Sequence, residues 1–230
     1  MTDLVALKAA NAQRWARARL RRNFISVAKA LVETSAKQRY QTVSACTAVP
    51  WWFIAVVHER EASQNWRSSL AQGDPWDRIS IHVPAGRGPF KSWEDAAVDA
   101  LLNCAPRAGH NQDWSAGGVL TLLEQYNGLG YASRNLPSPY VWAGTDQYVK
   151  GKYISDGHFD PNAVDQQLGC AGLLMQMAML DPSIRLVPWS PPMDEPATPT
   201  PPAPPSITKP APGSIGAFVA RLFNAIFRRS

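Results

Sequence analysis

Cysteine is scarce in this chain, and its spacing excludes two classes of small domain. The 230 residues include three cysteines, Cys46, Cys104 and Cys170, and no CxxC pair. An odd number of widely spaced cysteines does not form a disulfide framework, and a zinc ribbon needs closely paired thiols. We therefore expect the three cysteines to be small core residues, and the sequence predicts neither a metal site nor a cofactor.

Long apolar runs are also missing. The longest covers residues 49–57, whereas a membrane-spanning helix needs about 20 apolar residues. The first residues contain Asp3 and then lead into arginines, without the apolar segment and small-residue cleavage site of a signal peptide. The sequence thus predicts no transmembrane span and synthesis in the cytoplasm without a signal peptide.

Positive charge is sparse in the middle of the chain. Residues 1–49 hold nine basic and two acidic residues (+7), residues 50–182 hold nine and fourteen (−5), and residues 183–230 hold five and two (+3). A nucleic-acid-binding domain usually carries its basic stripe through the folded core. We therefore expect no nucleic-acid partner, a monomer, and an affinity of the basic ends for an anionic membrane or outer-envelope surface.

Proline is concentrated near the C-terminus. Eleven of the 20 prolines lie between Pro188 and Pro212, and such a segment behaves as a semi-rigid spacer because it cannot form a packed core. The sequence therefore predicts a domain over residues 1–185, whose residues 1–48 are a basic helical part. A proline-rich linker over residues 186–212 and a short amphipathic helix over residues 213–230 follow it.

The last segment has apolar residues at helical spacing and arginines on the opposite side. This pattern is typical of a basic helix that lies in a membrane interface, and the segment is too short to span a bilayer. A helix that docks back onto the domain is the alternative. The predicted membrane-binding residues are Phe218, Arg221, Leu222, Phe223, Ile226, Phe227 and Arg228.

The first 185 residues predict a mainly α fold with a small β lobe. Helical spacing over residues 4–45 predicts one or two basic helices, and Pro50 opens a buried helix. Further helices are predicted from the Ser92 capping box, from a cap at Asp113, and from residue 161 onward. The segment RISIHV, between Gly73 and Pro89, predicts a small strand pair or an irregular lobe.

A candidate general acid lies at the end of the helix that Pro50 opens. Glu61 shares a face with Ile54 and Val57, so its carboxyl should be partly desolvated and its pKa raised, as proton donation near neutral pH requires. Glu59 is the rival, although its position beside Arg60 equally fits a salt bridge. A zincin is excluded because HExxH would need histidine where Ala62 stands.

A second carboxylate is available at Asp74, in a Gly-Asp-Pro turn with Asp77 and His82 nearby. Glycosidases commonly place two carboxyls across the scissile bond, one as acid and one as base or nucleophile. The spacing permits that geometry, and an aspartate before proline is also a common turn residue. Both interpretations stay open at this point.

Several segments resemble one family. The stretches WWFIAVVHEREASQNW, GDPW, HVPAGRGPF, SWEDAAVDAL and LEQYNGLGY, within residues 35–182, resemble the lysozyme-like endolysins of phages and prophages. In the related lytic transglycosylases and goose-type lysozymes, serine follows the catalytic glutamate, whereas Ala62 follows Glu61 here. Residues 126–130 are similar to the Tyr-Asn-x-Gly element of their glycan cleft. In the transglycosylases, a Gly-Leu-Met-Gln element lies before the Tyr-Asn-x-Gly element. Here the similar residues 172–176, Gly-Leu-Leu-Met-Gln, come after it, which leaves the subfamily open.

The resemblance implies an α+β lysozyme-like fold and cleavage of the β-1,4 bond between N-acetylmuramic acid and N-acetylglucosamine in peptidoglycan glycan strands. Glu61 is the predicted acid. If Asp74 faces it across the cleft, water completes a hydrolysis; if no second carboxylate is in reach, the muramic acid 6-hydroxyl attacks and leaves a 1,6-anhydro product, and the sequence does not choose between the two. The resemblance places Tyr126 and Asn127 near the sugar. His58, on the helix face of Glu61, and His82, near Asp74, are the other predicted substrate-binding residues. The protein would act on the cell wall in the periplasm after release.

Aromatic residues outside the most apolar helix offer faces for sugar rings, and we expect a few of them to contact the glycan while many are core. They are Trp66, Trp76, Trp93, Tyr131, Tyr140, Trp142, Tyr148 and Tyr153.

Two other classes of function remain. One is a metal-dependent peptidoglycan peptidase or amidase built on the Asp-Gly-His-Phe-Asp segment, residues 156–160. The other is a non-catalytic envelope-binding protein in which the basic ends bind and Glu61 is structural.

Overall fold

The computed structural model of the chain describes residues 2–155, 157–188 and 190. Nearly all of the predicted linker and the whole predicted amphipathic helix, with its seven predicted membrane-binding residues, lie outside the described residues. The predicted mainly helical fold with a small β component is confirmed, since about 49% of the chain is helical and one two-stranded antiparallel sheet accompanies the helices.

The described residues form eight α-helices, two single 3₁₀ turns and two strands. The helices are α1 Leu4–Arg17, α2 Ile25–Val32, α3 Thr34–Thr47, α4 Trp51–Ala62, α5 Trp93–Asn103, α6 Ala116–Tyr126, α7 Pro139–Trp142 and α8 Cys170–Leu180. The strands are β1 Lys152–Ser155 and β2 His158–Asp160, and the 3₁₀ turns are Ala108–His110 and Ala132–Arg134.

The basic N-terminal part forms three helices that belong to the same core as the rest of the domain. Asp3 caps α1 by accepting hydrogen bonds from the backbone N–H groups of Val5 and Ala6. Glu33 interrupts the helical run and caps α3 in the same way. Because α1 packs against α6 and α2 packs against α8, this part is integrated into the fold.

Helix α4 is the central helix, and every side chain from Trp52 to His58 is buried. Pro50 precedes its first turn as predicted, since the missing N–H of proline costs nothing there. The helix packs between α3 and α8. It ends where Ser63 adopts a left-handed conformation with φ of 49°, so that its last turn, with Glu61, leaves the core.

Two of the three other predicted helix starts are corrected. Ser92 caps α5 as expected, accepting from the Asp95 N–H at 3.1 Å. The cap of α6 is Ser115 and not Asp113, whose carboxylate instead accepts from Ser115 Oγ at 2.6 Å. Helix α8 begins at Cys170, nine residues after the predicted start, and the intervening segment places Asp165 in ion pairs with Arg60 and Lys152.

The β component lies elsewhere than the pattern suggested. The segment RISIHV forms an irregular lobe without strands, because its exposed alternating side chains have no partner strand to pair with. The sheet is formed later in the chain, where Lys152 pairs with Asp160 and Tyr153 with Phe159. The irregular alternative for residues 73–89 is therefore the correct one.

Of the three cysteines, Cys104 and Cys170 are buried as expected, whereas Cys46 is exposed. By length and composition, no single helix among the described residues could cross a membrane, and the pair α3 and α4, bent by 113°, could do so only as a broken span.

Candidate active site

A cavity of about 670 Å³ opens at the C-terminal end of α4. Four parts of the chain form it: the end of α4, the end of α6 with the loop after it, the start of α7, and the β1–β2 hairpin with the segment that follows. Its lining residues are Arg60, Glu61, Tyr126, Asn127, Gly130, Tyr131, Pro139, Tyr140, residues 152–155, Gly157, Asp165 and Gln167. The structure thus brings together three predicted site residues, Glu61, Tyr126 and Asn127.

The carboxyl of Glu61 is partly buried and held by one strong hydrogen bond. The Tyr140 hydroxyl donates to Glu61 Oε1 at 2.7 Å. Burial raises the pKa of Glu61 above its usual value, against the opposing effects of the Tyr140 hydrogen bond and the Arg60 charge. Burial also raises the pKa of Tyr140 well above its usual value, so the donor stays protonated. Glu61 is therefore a carboxyl that retains its proton to a higher pH than an ordinary glutamate.

Arg60 packs against Tyr140, the residue that donates to Glu61. Its side chain is 6% exposed and lies over the Tyr140 ring, with the guanidinium carbon 4.6 Å from the ring centroid. It donates to the Leu168 carbonyl and to Asp165 Oδ2, each at 3.2 Å. The tyrosine that orients Glu61 is thus fixed by a stacked and neutralised arginine.

Asp165 is the second carboxylate that lines the cavity within the described residues. Besides Arg60, it accepts from Lys152 Nζ at 3.0 Å. Burial opposes ionisation of Asp165, but the hydrogen bond from Lys152 and the charge of Arg60 hold its pKa below the usual range. The cavity therefore contains one carboxyl with a raised pKa and one that two cations keep ionised.

Asp74 and His82 are not among the residues that line the cavity. Asp74 Oδ2 accepts from the backbone N–H groups of Ile81 and His82, each at 2.9 Å, and His82 Nδ1 lies 2.6 Å from Asp74 Oδ1. The backbone hydrogen bond from His82 is the main cause that lowers the pKa of Asp74. The predicted pairing of Asp74 with Glu61 across the cavity is thus not formed, because the Asp74 carboxylate accepts hydrogen bonds from its own loop instead.

His58 is a core residue, which corrects its predicted role in substrate binding. Its side chain has no exposed surface, and its ring packs 4.5 Å from that of Trp66 and 4.7 Å from that of Trp93. Its Nδ1 lies 3.0 Å from the Tyr40 hydroxyl, and burial lowers the pKa of His58 to about 4. A neutral, enclosed imidazole cannot contact a glycan.

Glu59, the rival acid, is half-buried and accepts from Gln64 Nε2 at 2.7 Å. Burial raises its pKa as well, but Glu59 is not among the residues that line the cavity. Geometry therefore favours Glu61 as the proton donor.

Four cavity residues had no assigned role in the sequence. Arg60, Lys152, Asp165 and Gln167 come from segments up to 107 residues apart, and the local pattern around each is that of an ordinary surface residue. Tyr131, Tyr140 and Tyr153 belong to the predicted set of aromatics, and these three line the cavity. Trp93, Trp142 and Tyr148 of that set are buried in the core.

The predicted alternative metal segment lies on the hairpin, where His158 and Asp160 belong to β2 and position 156 is outside the described residues. Within the described ranges, no group of three His, Cys, Asp or Glu side chains could hold a metal ion.

Comparison of the chain with protein-family models, with curated proteins and with solved structures gives no match. The cavity contains a carboxyl whose pKa is raised, several tyrosine rings, and a second carboxyl whose pKa two cations lower.

Proposed function

We propose that the chain is a peptidoglycan-degrading, lysozyme-like endolysin, a glycosidase or lytic transglycosylase that cleaves the β-1,4 bond between N-acetylmuramic acid and N-acetylglucosamine. Glu61 acts as the general acid and protonates the glycosidic oxygen. The observation that carries the proposal is the Glu61 carboxyl with its raised pKa, aimed into an open cavity and held by Tyr140. Proton donation near neutral pH needs this combination of geometry and pKa.

The lining of the cavity supports a carbohydrate substrate. Its volume lies within the range of about 300–1,000 Å³ that is common for ligand sites. The half-buried rings of Tyr126 and Tyr153 can pack against sugar faces, and Asn127 and Gln167 supply amide groups for hydroxyls and N-acetyl groups. Tyr126 and Asn127 stand where the resemblance implies glycan contacts.

The surroundings of Asp165 favour the transglycosylase route over a two-carboxylate hydrolysis. A base or nucleophile must be free to take a proton or attack carbon, and Asp165 is held by Arg60 and Lys152. On the favoured route, Glu61 gives its proton to the leaving oxygen as the glycosidic bond breaks. The muramic acid 6-hydroxyl oxygen then bonds to the same carbon and returns its proton to Glu61.

Mass spectrometry of digested sacculi tests the function directly. We expect cleavage of the glycan strand with 1,6-anhydro ends on the muramic acid products, and no such products from Glu61→Gln. Reducing ends without an anhydro bridge would support hydrolysis instead. Cuts confined to the stem peptides and abolished by a chelator would favour the metal-dependent peptidase, and a lack of any cleavage would favour the envelope-binding protein.

We further propose that residues 213–230 bring the enzyme to an anionic membrane or envelope surface from the periplasmic side of the cell, after release from the cytoplasm. The apolar stripe and the arginines of the sequence support this part of the proposal. It concerns access to the wall and leaves the chemistry at Glu61 unchanged.

A further inference from the structure

A second cavity, of about 650 Å³, runs along α1, and we call it the α1 groove. Its residues on the helix share one face because they recur at helical spacing; they are Asp3, Ala6, Leu7, Ala10 and Arg14. The other lining residues are Thr2, Ala132, Ser133, Asn135 and Leu136. Since Gly130 and Tyr131 line the candidate active site, the segment of residues 130–136 borders both cavities.

The groove has one charged group of each sign among the described residues that line it. Arg14, the last lining residue of α1, is half-buried, and its guanidinium forms no hydrogen bond or ion pair within the described ranges. Asp3, the first, uses only Oδ1 to cap the helix, at 2.9 Å from the Val5 N–H nitrogen and 3.1 Å from that of Ala6. The groove therefore has a carboxylate at one end and a guanidinium at the other.

The spacing of the two charges follows from the helix. A rise of about 1.5 Å per residue places the two backbone positions roughly 16 Å apart along α1. The charged groups themselves lie closer together, because a long helical side chain such as that of Arg14 reaches back toward the N-terminus. An extended peptide rises about 3.3 Å per residue, so about three to five residues span the groove.

Glu124 acts on Arg14 from behind the groove without pairing with it. Glu124 is 1% exposed and does not line the groove, and its charge affects Arg14 only at a distance. Burial raises the pKa of Glu124 to about 7, so it is partly uncharged at neutral pH. Burial is also the main cause that lowers the pKa of Arg14. A guanidinium that is partly desolvated and lacks a direct partner favours a carboxylate from a ligand.

We propose that the α1 groove binds the stem peptide of peptidoglycan, with a peptide carboxylate on Arg14 and a peptide amine on Asp3. The inference rests on the proposed function. Stem peptides are short chains that carry free carboxylates and, at their diamino residue, an amine, which matches the length and the charges of the groove. No aromatic ring belongs to the described lining, so the groove lacks the faces that pack against sugars. Its border with the active site suits a peptide that branches from a glycan strand.

The test measures binding of the synthetic peptide L-Ala-γ-D-Glu-L-Lys-D-Ala to the full chain by isothermal titration calorimetry. Two modified peptides have their carboxylates amidated or their amines acetylated. Arg14→Gln removes the cation, and Asp3→Asn removes the anion while keeping a good helix cap. The matched controls are Arg17→Gln and Asp95→Asn, since both residues are exposed and neither lines the groove.

We expect each groove substitution to weaken binding of the unmodified peptide at least about tenfold, equivalent to about 1.4 kcal/mol, and the controls to leave it unchanged. Amidation should weaken binding to the parent but not further weaken binding to Arg14→Gln, and acetylation should behave in the same way with Asp3→Asn. Equal binding by groove variants and controls overturns the proposal, as does a parent that does not bind the peptide. Circular dichroism verifies that each variant is folded.

A kinetic measurement separates this proposal from the proposed reaction. Peptide binding needs no cleavage, so a chain that binds the peptide through Arg14 and Asp3 but leaves glycan strands intact would support the groove and contradict the glycosidase. With cleavage, Arg14→Gln should raise KM for strands that carry stem peptides, with kcat unchanged and with no effect on strands stripped of their peptides by an amidase. An equal KM of parent and Arg14→Gln on the peptide-bearing strands overturns the proposal.

Discussion

At the scale of single residues, the candidate site depends on how the environment of each carboxyl sets its pKa. Burial acts on both Glu61 and Asp165, yet the pKa of Glu61 is raised and that of Asp165 is lowered. Arg60 lowers the pKa of both carboxyls, but Glu61 otherwise has only the neutral Tyr140 hydroxyl as donor, whereas Asp165 has direct ion pairs with Arg60 and Lys152. The pKa values of two carboxyls in one cavity are thereby shifted in opposite directions.

Replacing Glu61 by Gln should lower muralytic activity by about 10²–10⁴-fold, the loss that follows removal of general acid catalysis, while the fold stays intact. Turbidity loss of isolated peptidoglycan measures the rate, and thermal unfolding monitors the fold. Glu59→Gln is the control, since Glu59 carries a similar half-buried carboxyl outside the cavity. An active Glu61→Gln together with an inactive Glu59→Gln would reverse the assignment.

Replacing Tyr140 by Phe removes the hydroxyl that holds Glu61 but keeps the ring that Arg60 covers. Since this hydrogen bond lowers the pKa of Glu61, its loss should move the alkaline limb of the pH–rate profile to higher pH. Loss of one hydrogen bond of about 1.4 kcal/mol should also lower the maximal rate about tenfold. An unchanged profile in the variant would show that Tyr140 does not act on the acid.

Glu124 offers a test of burial away from the cavity. It is 1% exposed at the α1–α6 contact, and burial raises its pKa from 4.5 to about 7. The fold favours the protonated form, so Glu124 does not lower the free energy of unfolding at pH values below its unfolded pKa. As pH rises through the folded pKa near 7, the free energy of unfolding falls by about 3 kcal/mol in all. Glu124→Gln should therefore gain stability over the parent near pH 8 but not near pH 4.

Urea unfolding at the two pH values measures the difference. Gln keeps a carbonyl acceptor for Asn11, whose Nδ2 lies 3.4 Å from Glu124 Oε2, so the substitution changes the charge more than the contact. The same stability difference between parent and variant at both pH values would contradict the raised pKa.

At the scale of elements, local patterns predicted the helices well and the partners of their side chains poorly. Proline before α4 and the serine cap of α5 act within one turn of the chain, and both are as expected. Helical spacing also placed His58 on the face of Glu61. It could not indicate that α3 and the Trp66 and Trp93 rings close over that turn, which buries His58 and leaves Glu61 at the edge.

The strand-like alternation of RISIHV illustrates the same limit. A period of two is a property of one segment, whereas a strand needs a second segment to pair with. Here the backbone N–H groups of Ile81 and His82 are satisfied by the Asp74 side chain. The cavity residues Asp165 and Lys152 could not be found either, because their ion pairs link parts of the chain that no local spacing connects.

Replacing Asp74 by Asn should loosen the lobe of residues 74–90 and leave cleavage of isolated peptidoglycan close to the parent rate. Both backbone N–H groups donate to the same carboxylate oxygen, and a neutral amide oxygen is a weaker acceptor, so faster hydrogen exchange is expected at the Ile81 and His82 amides. Because the pKa of Asp74 is lowered in the fold, its contribution is present above the unfolded pKa and is lost as pH falls through the folded value. Loss of muralytic activity with normal amide protection would return Asp74 to the catalytic site.

At the scale of the whole molecule, the domain with the proposed active site and the basic C-terminal segment should have separable roles. A chain that ends at Pro188 should digest isolated peptidoglycan at the normal rate but lose most of its binding to anionic vesicles and its attack on intact cells from outside. Replacing Phe223 and Ile226 by Glu in the full chain should reproduce that loss, because charges in the apolar stripe prevent its burial. Equal vesicle binding of truncated and full-length chains would instead support a helix that docks on the domain.

The ion pair between Arg60 and Asp165 joins residues that are 105 positions apart in the chain, so it can form only late in synthesis. When α4 and α6 have emerged from the ribosome, Glu61 is present in the nascent chain. Tyr140 and Asp165, the partner of Arg60, have not yet emerged. Unfinished chains and fragments that end before residue 165 therefore lack an assembled acid site. On the proposed function, activity is therefore expected only after nearly the whole domain has been translated, and products that end before residue 165 should be inactive.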